Sequence, residues 1–350
     1  GTAFLWMLLW VLALSSAPAA AQHARAPAGG EFVYRMQPGD NPWDLSERLL
    51  DGMHRWQPLV RLNGFSEPTS LLPGTLVRIP RAWLRREPSH LTIESAYGAV
   101  SIATGDGVSR DAVAGSRLAA GMWLRTAANS SATLSAADGS KILVLPESEI
   151  VFTRLTQSIA LTGAGFAGTA DDTTDIEVGL LLLKGAVENA VRPIAPGGRG
   201  RFEIRTPAGV AAVRGTEYRV ASDERATRTE TLTGAVALQN ERGRVLLESA
   251  EGSLVAPGKR PEPPTPLLPE PKIDELPELI ERLPLDLALP PVAGASAYRS
   301  QFAVDARFET VVSDELVETA RVRARALDDG EYLLRVRAAD AHGIEGLSAQ

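Results

Sequence analysis

The stretch Arg201–Val220, RFEIRTPAGVAAVRGTEYRV, decides the fold. Its first five residues alternate polar and apolar, the period of a half-buried strand. Thr206-Pro207-Ala208-Gly209 is turn chemistry, with Pro207 presetting φ and Gly209 carrying no Cβ. Gly215 permits an unusual backbone just before a second alternating run, Glu217–Val220. Short runs of the same kind recur on both sides: Ser101–Thr104, Ser131–Leu134, Ile142–Leu145, Glu149–Phe152, Gly179–Leu183, Ala235–Gln239 and Val245–Glu248. Many short strands punctuated by Gly, Asp and Pro predict an all-β sandwich, barrel or roll over residues 91–255.

Towards the N-terminus the pattern changes to a compact α/β unit over residues 31–83. Glu31–Gln37 alternates like a strand. Pro38-Gly39-Asp40-Asn41 reads as a turn, Asn41 as a helix N-cap, and Pro42 suits the first helical position, where its missing N–H costs nothing. Leu45, Leu49 and Leu50 follow at helical spacing. A second helix is expected from His54 to Leu62, stopped by Asn63-Gly64, and Leu76–Ile79 closes the unit as a strand.

Towards the C-terminus, residues 256–291 form a proline-rich linker. Pro257–Pro291 holds eleven of the 24 prolines, the mark of a semi-rigid extended spacer. Its middle, Ile273–Leu283, has the pattern of a short amphipathic helix. Residues 285–350 return to β alternation in Ala297–Val304, Thr319–Ala326 and Tyr332–Ala339. They predict a β-sandwich that is incomplete, one strand short at the C-terminal end. The expected fold class is therefore multi-domain and mainly β.

A length of 350 residues fits two or three domains. The net charge of -7 argues against nucleic-acid binding, which leaves a basic footprint. The absence of cysteine excludes disulfides, thiol catalysis, zinc–thiolate sites and a lipidated N-terminal cysteine. The histidines His23, His54, His90 and His342 are far apart and form no metal pair or nucleophile–base signature. No cofactor or metal is expected. Ala3–Leu14 is an unbroken apolar run followed by small residues, Ala17–Ala21. This is a signal peptide, residues 1–21, cleaved after Ala21, and it predicts export to the periplasm or cell envelope. At about 18 Å of helix the run is too short to span a bilayer comfortably.

Several suggestive patterns have plainer readings. Gly163-Ala164-Gly165-Phe166-Ala167-Gly168 matches a dinucleotide fingerprint, but an acidic, non-helical stretch follows, so a hairpin loop is expected. Asp171, Asp172 and Asp175 lack the spacing of a calcium loop and read as solvated. Arg321, Arg323 and Arg325 share one strand face, as do Arg335 and Arg337, and both sets read as the wet face of a sandwich. Glu147 and Glu149 imply no pocket. No segment is left for a catalytic domain, so the chain is not expected to be an enzyme.

Three resemblances follow from spaced motifs. Tyr34–Asp40, Trp43-Asp44-Leu45, Leu62-Asn63-Gly64 and Leu72–Pro80 together resemble a LysM domain. That family implies a βααβ fold and binding of N-acetylglucosamine-containing glycans such as peptidoglycan. The implied groove lies between one loop, Gly39, Asp40, Asn41 and Pro42, and another, Asn63, Gly64 and Phe65 continuing to Leu71 and Leu72. Asn41-Pro42 stands where the family usually has Thr and an apolar residue, and Pro42 removes an amide donor.

Phe202–Val220, with Lys184-Gly185-Ala186-Val187 and Thr233-Gly234-Ala235-Val236, resembles a FecR domain. Its best-known members are membrane-spanning regulators that sense a transporter and control a sigma factor. Pro291–Arg299 and Gly330–Asp340 resemble a fibronectin type III or immunoglobulin-like sandwich, with Tyr332 suggested as its core tyrosine. Two functions fit. One is a non-catalytic envelope protein tethered to peptidoglycan that presents its β modules to an envelope or outer-membrane protein. The other is a periplasmic sensor component of an envelope signalling system acting through the FecR-like domain.

Overall fold

The computed structural model describes residues 30–69, 71–105, 107–159, 165–166, 175–325 and 327–350. The stretch expected to be a signal peptide, most of Gly163–Gly168, and Asp171 and Asp172 lie outside these residues. Strands hold 47% of the chain and helices 7%, so the protein is mainly β.

Residues 31–80 run strand, helix, helix, strand: β1 (Glu31–Arg35), α1 (Pro42–Leu49), α2 (Trp56–Asn63) and β2 (Leu76–Pro80). Asn41 caps α1 by accepting from the Asp44 N–H at 2.9 Å, with Pro42 as the first helical residue. A short 3₁₀ turn, Met53–Arg55, precedes α2, so the second helix starts later than its apolar spacing suggests. Gly64 ends α2 in the left-handed conformation, φ 66°, and its N–H returns to Arg61. β1 and β2 pair antiparallel, and both helices pack onto them through Leu45, Leu49 and Leu59.

The central sandwich has two sheets joined by one strand. Ile176–Ala190 pairs with Glu149–Ser158 and Arg201–Arg205 in the first sheet, then with Lys141–Val144 and Glu217–Ser222 in the second. The change of sheet occurs around Lys184-Gly185. Val178, Leu180 and Leu182 point into the core on one side of it and Val187 on the other. The Thr206–Gly209 turn joins Arg201–Arg205 to Val210–Val213 as expected. Gly209 donates to Thr206 Oγ1 at 3.0 Å, and Thr227 Oγ1 donates to the same oxygen at 2.7 Å. Gly215 has φ 92°, and a Cβ there would lie 2.4 Å from Pro193 Cα, so only glycine fits.

The proline-rich segment is less of a free spacer than its composition suggests. Leu267 is buried and donates to Ala250, while Leu347 donates to Leu268, which stitches the segment to what lies on either side. Ile273–Leu283 forms no helix. Pro277 removes a donor in mid-segment and the run is too short to pay for nucleation. Ile273 and Leu276 pack onto the C-terminal core instead.

Residues 285–349 fold into a four-stranded sheet, ordered Val311–Val317, Ala297–Ala303, Leu333–Ala339, Glu345–Ala349, packed on the pair Leu285–Ala288 and Arg321–Ala324. Glu345–Ala349 adds an edge strand beyond the three runs that alternation marked. The core tyrosine is Tyr298 rather than Tyr332. Tyr298 is buried and accepts from the Val292 N–H at 2.6 Å, whereas Tyr332 is half-buried.

Candidate functional site

Two places concentrate chemistry. The first is the pair of loops around α1 and α2. The carboxylate of Asp40 is spent inside the unit: it accepts from Tyr34 Oη at 2.5 Å, the Gln37 N–H at 2.7 Å and Arg48 Nη2 at 3.1 Å. Burial works against the charge, but these donors outweigh it and hold Asp40 below the usual carboxylate range. Asn41 is occupied as the α1 cap. Asn63 clamps α2 to β2, donating to the Leu59 and Arg78 carbonyls and accepting from the Arg78 N–H at 2.7 Å. Pro42 is buried, and Phe65 and Leu71 pack on the core of the unit.

What remains open is backbone and one side chain. A Cβ at Gly39 or Gly64 would meet nothing within 4 Å, and Leu72 is 73% exposed. Gly74, next to Leu72, donates to the Met36 carbonyl and ties the second loop to the end of β1. The amides of Asp40, Gly64, Phe65 and Gly74 already donate to carbonyls of the unit, so the accessible surface here is the uncovered main chain at Gly39 and Gly64 and the Leu72 side chain.

The second place is a buried ionic seam between the central sandwich and the C-terminal sheet, which strand alternation alone did not reveal. Glu188, Arg219 and Glu230 stand side by side on the outer face of the second sheet, because the register sets Glu188 opposite Arg219 and Arg219 opposite Glu230. Arg335 and Arg337 face them. Arg335 Nη2 lies 2.8 Å from Glu188 Oε2, and Arg337 Nη1 lies 2.7 Å from Glu188 Oε1 and 2.9 Å from Glu345 Oε2. Arg299 Nε lies 2.6 Å from Glu345 Oε1. Arg219 donates to the Glu345 and Gly346 carbonyls at 2.7 and 2.8 Å, and the Glu345 N–H donates to Glu230 Oε1.

The expected wet stripe of Arg335 and Arg337 is thus a domain contact. Arg337 is 1% exposed. The guanidinium of Arg335 also lies 4.4 Å from the Phe308 ring centre. Phe308, Ala303 and Val311 pack with Leu143 and Leu145 across the same junction. Each such burial contributes about 1.5–3 kcal/mol, so apolar contacts surround the charges and keep water out.

Within the seam, burial pushes carboxyl groups up and arginines pull them down. The arginines win at Glu188, held at about 2 by Arg335 and Arg337, and also at Glu345. Burial wins at Glu230, where Arg219 is the nearest cation and Glu345 repels, and the group is pushed up to about 7. Among the described residues no group of three His, Asp or Glu could hold a metal, and no helix is long and apolar enough to cross a membrane.

Residues 123–237 match the family model described as FecR protein, so the chain carries a FecR domain there. The match begins at Trp123, well inside the two-sheet sandwich. No curated protein matches the chain. Two crystal structures of a protein assigned as an anti-sigma factor from Parabacteroides distasonis ATCC 8503 superpose at a TM-score of 0.30 each, with 14% and 15% identity. Each overlap spans 41% of this chain and 59% of the solved chain, and a likeness at that level carries no functional argument.

Proposed function

We propose that this protein is a non-catalytic component of an envelope signalling system, acting by protein contact through its FecR domain. The observation that carries this reading is the FecR match over residues 123–237. The N-terminal strand–helix–helix–strand unit serves, in this reading, as a LysM-type tether to peptidoglycan, and the C-terminal unit as an immunoglobulin-like support docked on the FecR sandwich. Export to the periplasm by the apolar leader at residues 1–21 would bring the three together at the cell wall.

The missing side chains at Gly39 and Gly64 let an N-acetyl group approach the backbone closely, with its methyl covered by Leu72. Cross-linking in intact cells followed by purification tests the sensing role. A specific membrane or outer-membrane protein bound through the FecR sandwich supports it, and recovery without any partner counts against it. Sedimentation with purified peptidoglycan sacculi tests the tether separately. The full chain should pellet and Leu72→Asp should pellet less. A chain that stays in the supernatant removes the tether and leaves the sensing role standing.

A further inference from the structure

Two surfaces have no sheet or helix laid over them among the described residues, and they complement each other. The first is the outer face of the sheet that lies opposite the seam. Trp123, Val151 and Leu181 form one row across it, set by the register Val151 to Trp123 and Val151 to Leu181. Their neighbours Leu124, Ile150, Leu180 and Leu182 point into the core, so alternation puts this row on the outer face, where all three are half-buried and the Arg125 guanidinium lies 5.3 Å from the Trp123 ring centre. Beside the row a trough of about 140 Å³ opens between Thr153, Arg154, Gly179, Glu203 and Arg205. Gly179 stands opposite Glu203, and a Cβ there would lie 3.0 Å from Thr153 Oγ1 and 3.2 Å from Arg154 Cβ. The trough exists because its floor residue has no side chain.

The rim of the trough is basic. Arg201 and Arg205 each lie 2.6 Å from the Glu203 carboxylate, which is only 7% exposed, while both arginines are more than half exposed. With Arg154, three guanidinium groups outnumber Glu203 and Glu177 on this rim, in a chain whose net charge is -7.

The second surface is Asp274–Glu281, DELPELIE, which has four carboxylates and no basic residue. Ile273 and Leu276 anchor it to the C-terminal core. Leu279, Ile280 and nearby Leu283 point away, 76%, 40% and 46% exposed. The segment has no sheet partner, and Pro277 narrows the conformations it can sample, so docking it elsewhere costs less ordering entropy than docking a flexible chain.

We propose that the acidic, apolar Asp274–Glu281 segment of one copy docks across the basic trough and apolar row of a second copy. Leu279 and Ile280 cover the Val151–Leu181 row, and the carboxylates meet Arg154, Arg201 and Arg205. The two halves of the contact differ, so each copy carries one of each. Two copies close reciprocally if the geometry allows, and otherwise the contact propagates. The charges set the encounter rate and orientation, and the leucines the lifetime.

The test is sedimentation of the full chain over a concentration series at low and high salt. The wild type should associate with concentration, and high salt should weaken it. Arg154→Glu with Arg205→Glu should weaken association about tenfold or more, as should Leu279→Asp with Ile280→Asp. All four positions are exposed, so unchanged urea midpoints serve as the folding control. The decisive arm mixes the two double variants. One intact trough then meets one intact segment, and association should return in the mixture although neither variant associates alone. A wild type that remains monomeric, variants that associate as the wild type does, or a mixture that stays monomeric would each overturn the contact.

Discussion

Two arginine stripes in the C-terminal unit have the same period-two spacing and opposite surroundings. Arg335 and Arg337 are sealed between sheets, paired with Glu188 and Glu345 at 2.7–2.9 Å. Arg321, Arg323 and Arg325 pair with Asp286 and Glu315, yet keep side-chain exposures of 39%, 44% and 84%. Alternation fixes which face a side chain takes, and only the neighbouring unit decides whether that face is wet. The difference is energetic as well. A buried pair leaves an uncompensated charge when one member is removed, whereas an exposed pair returns both groups to water.

The comparison breaks most sharply at Arg337. Arg337→Ala leaves the buried carboxylates one cation short, Glu188 with Arg335 alone and Glu345 with Arg299 alone, and should cost about 3–5 kcal/mol, read as a lower urea midpoint. A loss no greater than that of an exposed arginine would mean the seam is wetter than its burial shows. The converse experiment sharpens the point. Replacing Glu188, Arg335, Arg337 and Glu345 together by Gln and Met side chains removes both signs at once. It should come out far milder than Arg337→Ala, near neutral in the same assay.

Acid–base behaviour supplies the next contrast. Glu230 sits at about 7 in the folded protein against 4.5 for a free carboxyl, facing Arg219, Arg337 and Glu345. A raised folded value means that its contribution to stability is fully present below pH 4.5 and is lost as pH rises through 7. Glu230→Gln should therefore flatten the fall in stability between pH 5 and pH 8, with a gain on the order of 1–3 kcal/mol at pH 8. Glu188 runs the other way. Its stabilisation is present above 4.5 and fades as pH falls towards 2. Unfolding curves across pH 3–9 on wild type, Glu230→Gln and Glu188→Gln separate the two limbs. The smallest effect belongs to the exposed stripe: Arg325→Ala should leave the urea midpoint unchanged within error.

Local signals were legible and long-range ones were not. Asn41, Pro42 and Gly64 could be placed because each cap is settled within four residues of its own position. The Thr206–Gly209 turn was readable for the same reason. Gly179–Leu183 looked like a short strand and is part of a strand reaching from Ile176 to Ala190, whose later half has Lys184, Gly185, Glu188 and Asn189 in place of apolar alternation. Within that polar half Glu188 is paired with Arg335 and Arg337, more than a hundred residues away, which no local pattern encodes. Asp40, Asn41 and Asn63 had the residue types of a ligand site, but their side chains satisfy the backbone and neighbours of their own unit. What stays open around the loops is bare main chain at Gly39 and Gly64, which carries no side-chain signature of a ligand.

The strand shared by the two sheets also constrains the order in which the chain can acquire structure. Ile176–Ala190 needs Lys141–Val144 and Glu149–Ser158 from earlier in the chain and Arg201–Arg205 and Glu217–Ser222 from later. As the polypeptide elongates, neither sheet can close until about residue 222 has emerged. The first strands must wait with unpaired edges, the condition in which β chains aggregate. The N-terminal strand–helix–helix–strand unit pairs its own strands and packs its helices within about fifty residues, and Ile159 and Phe166 join its core later, so it is under less delay. It can fold first and stand as a solubilising head on a chain whose remaining sheets close together and late.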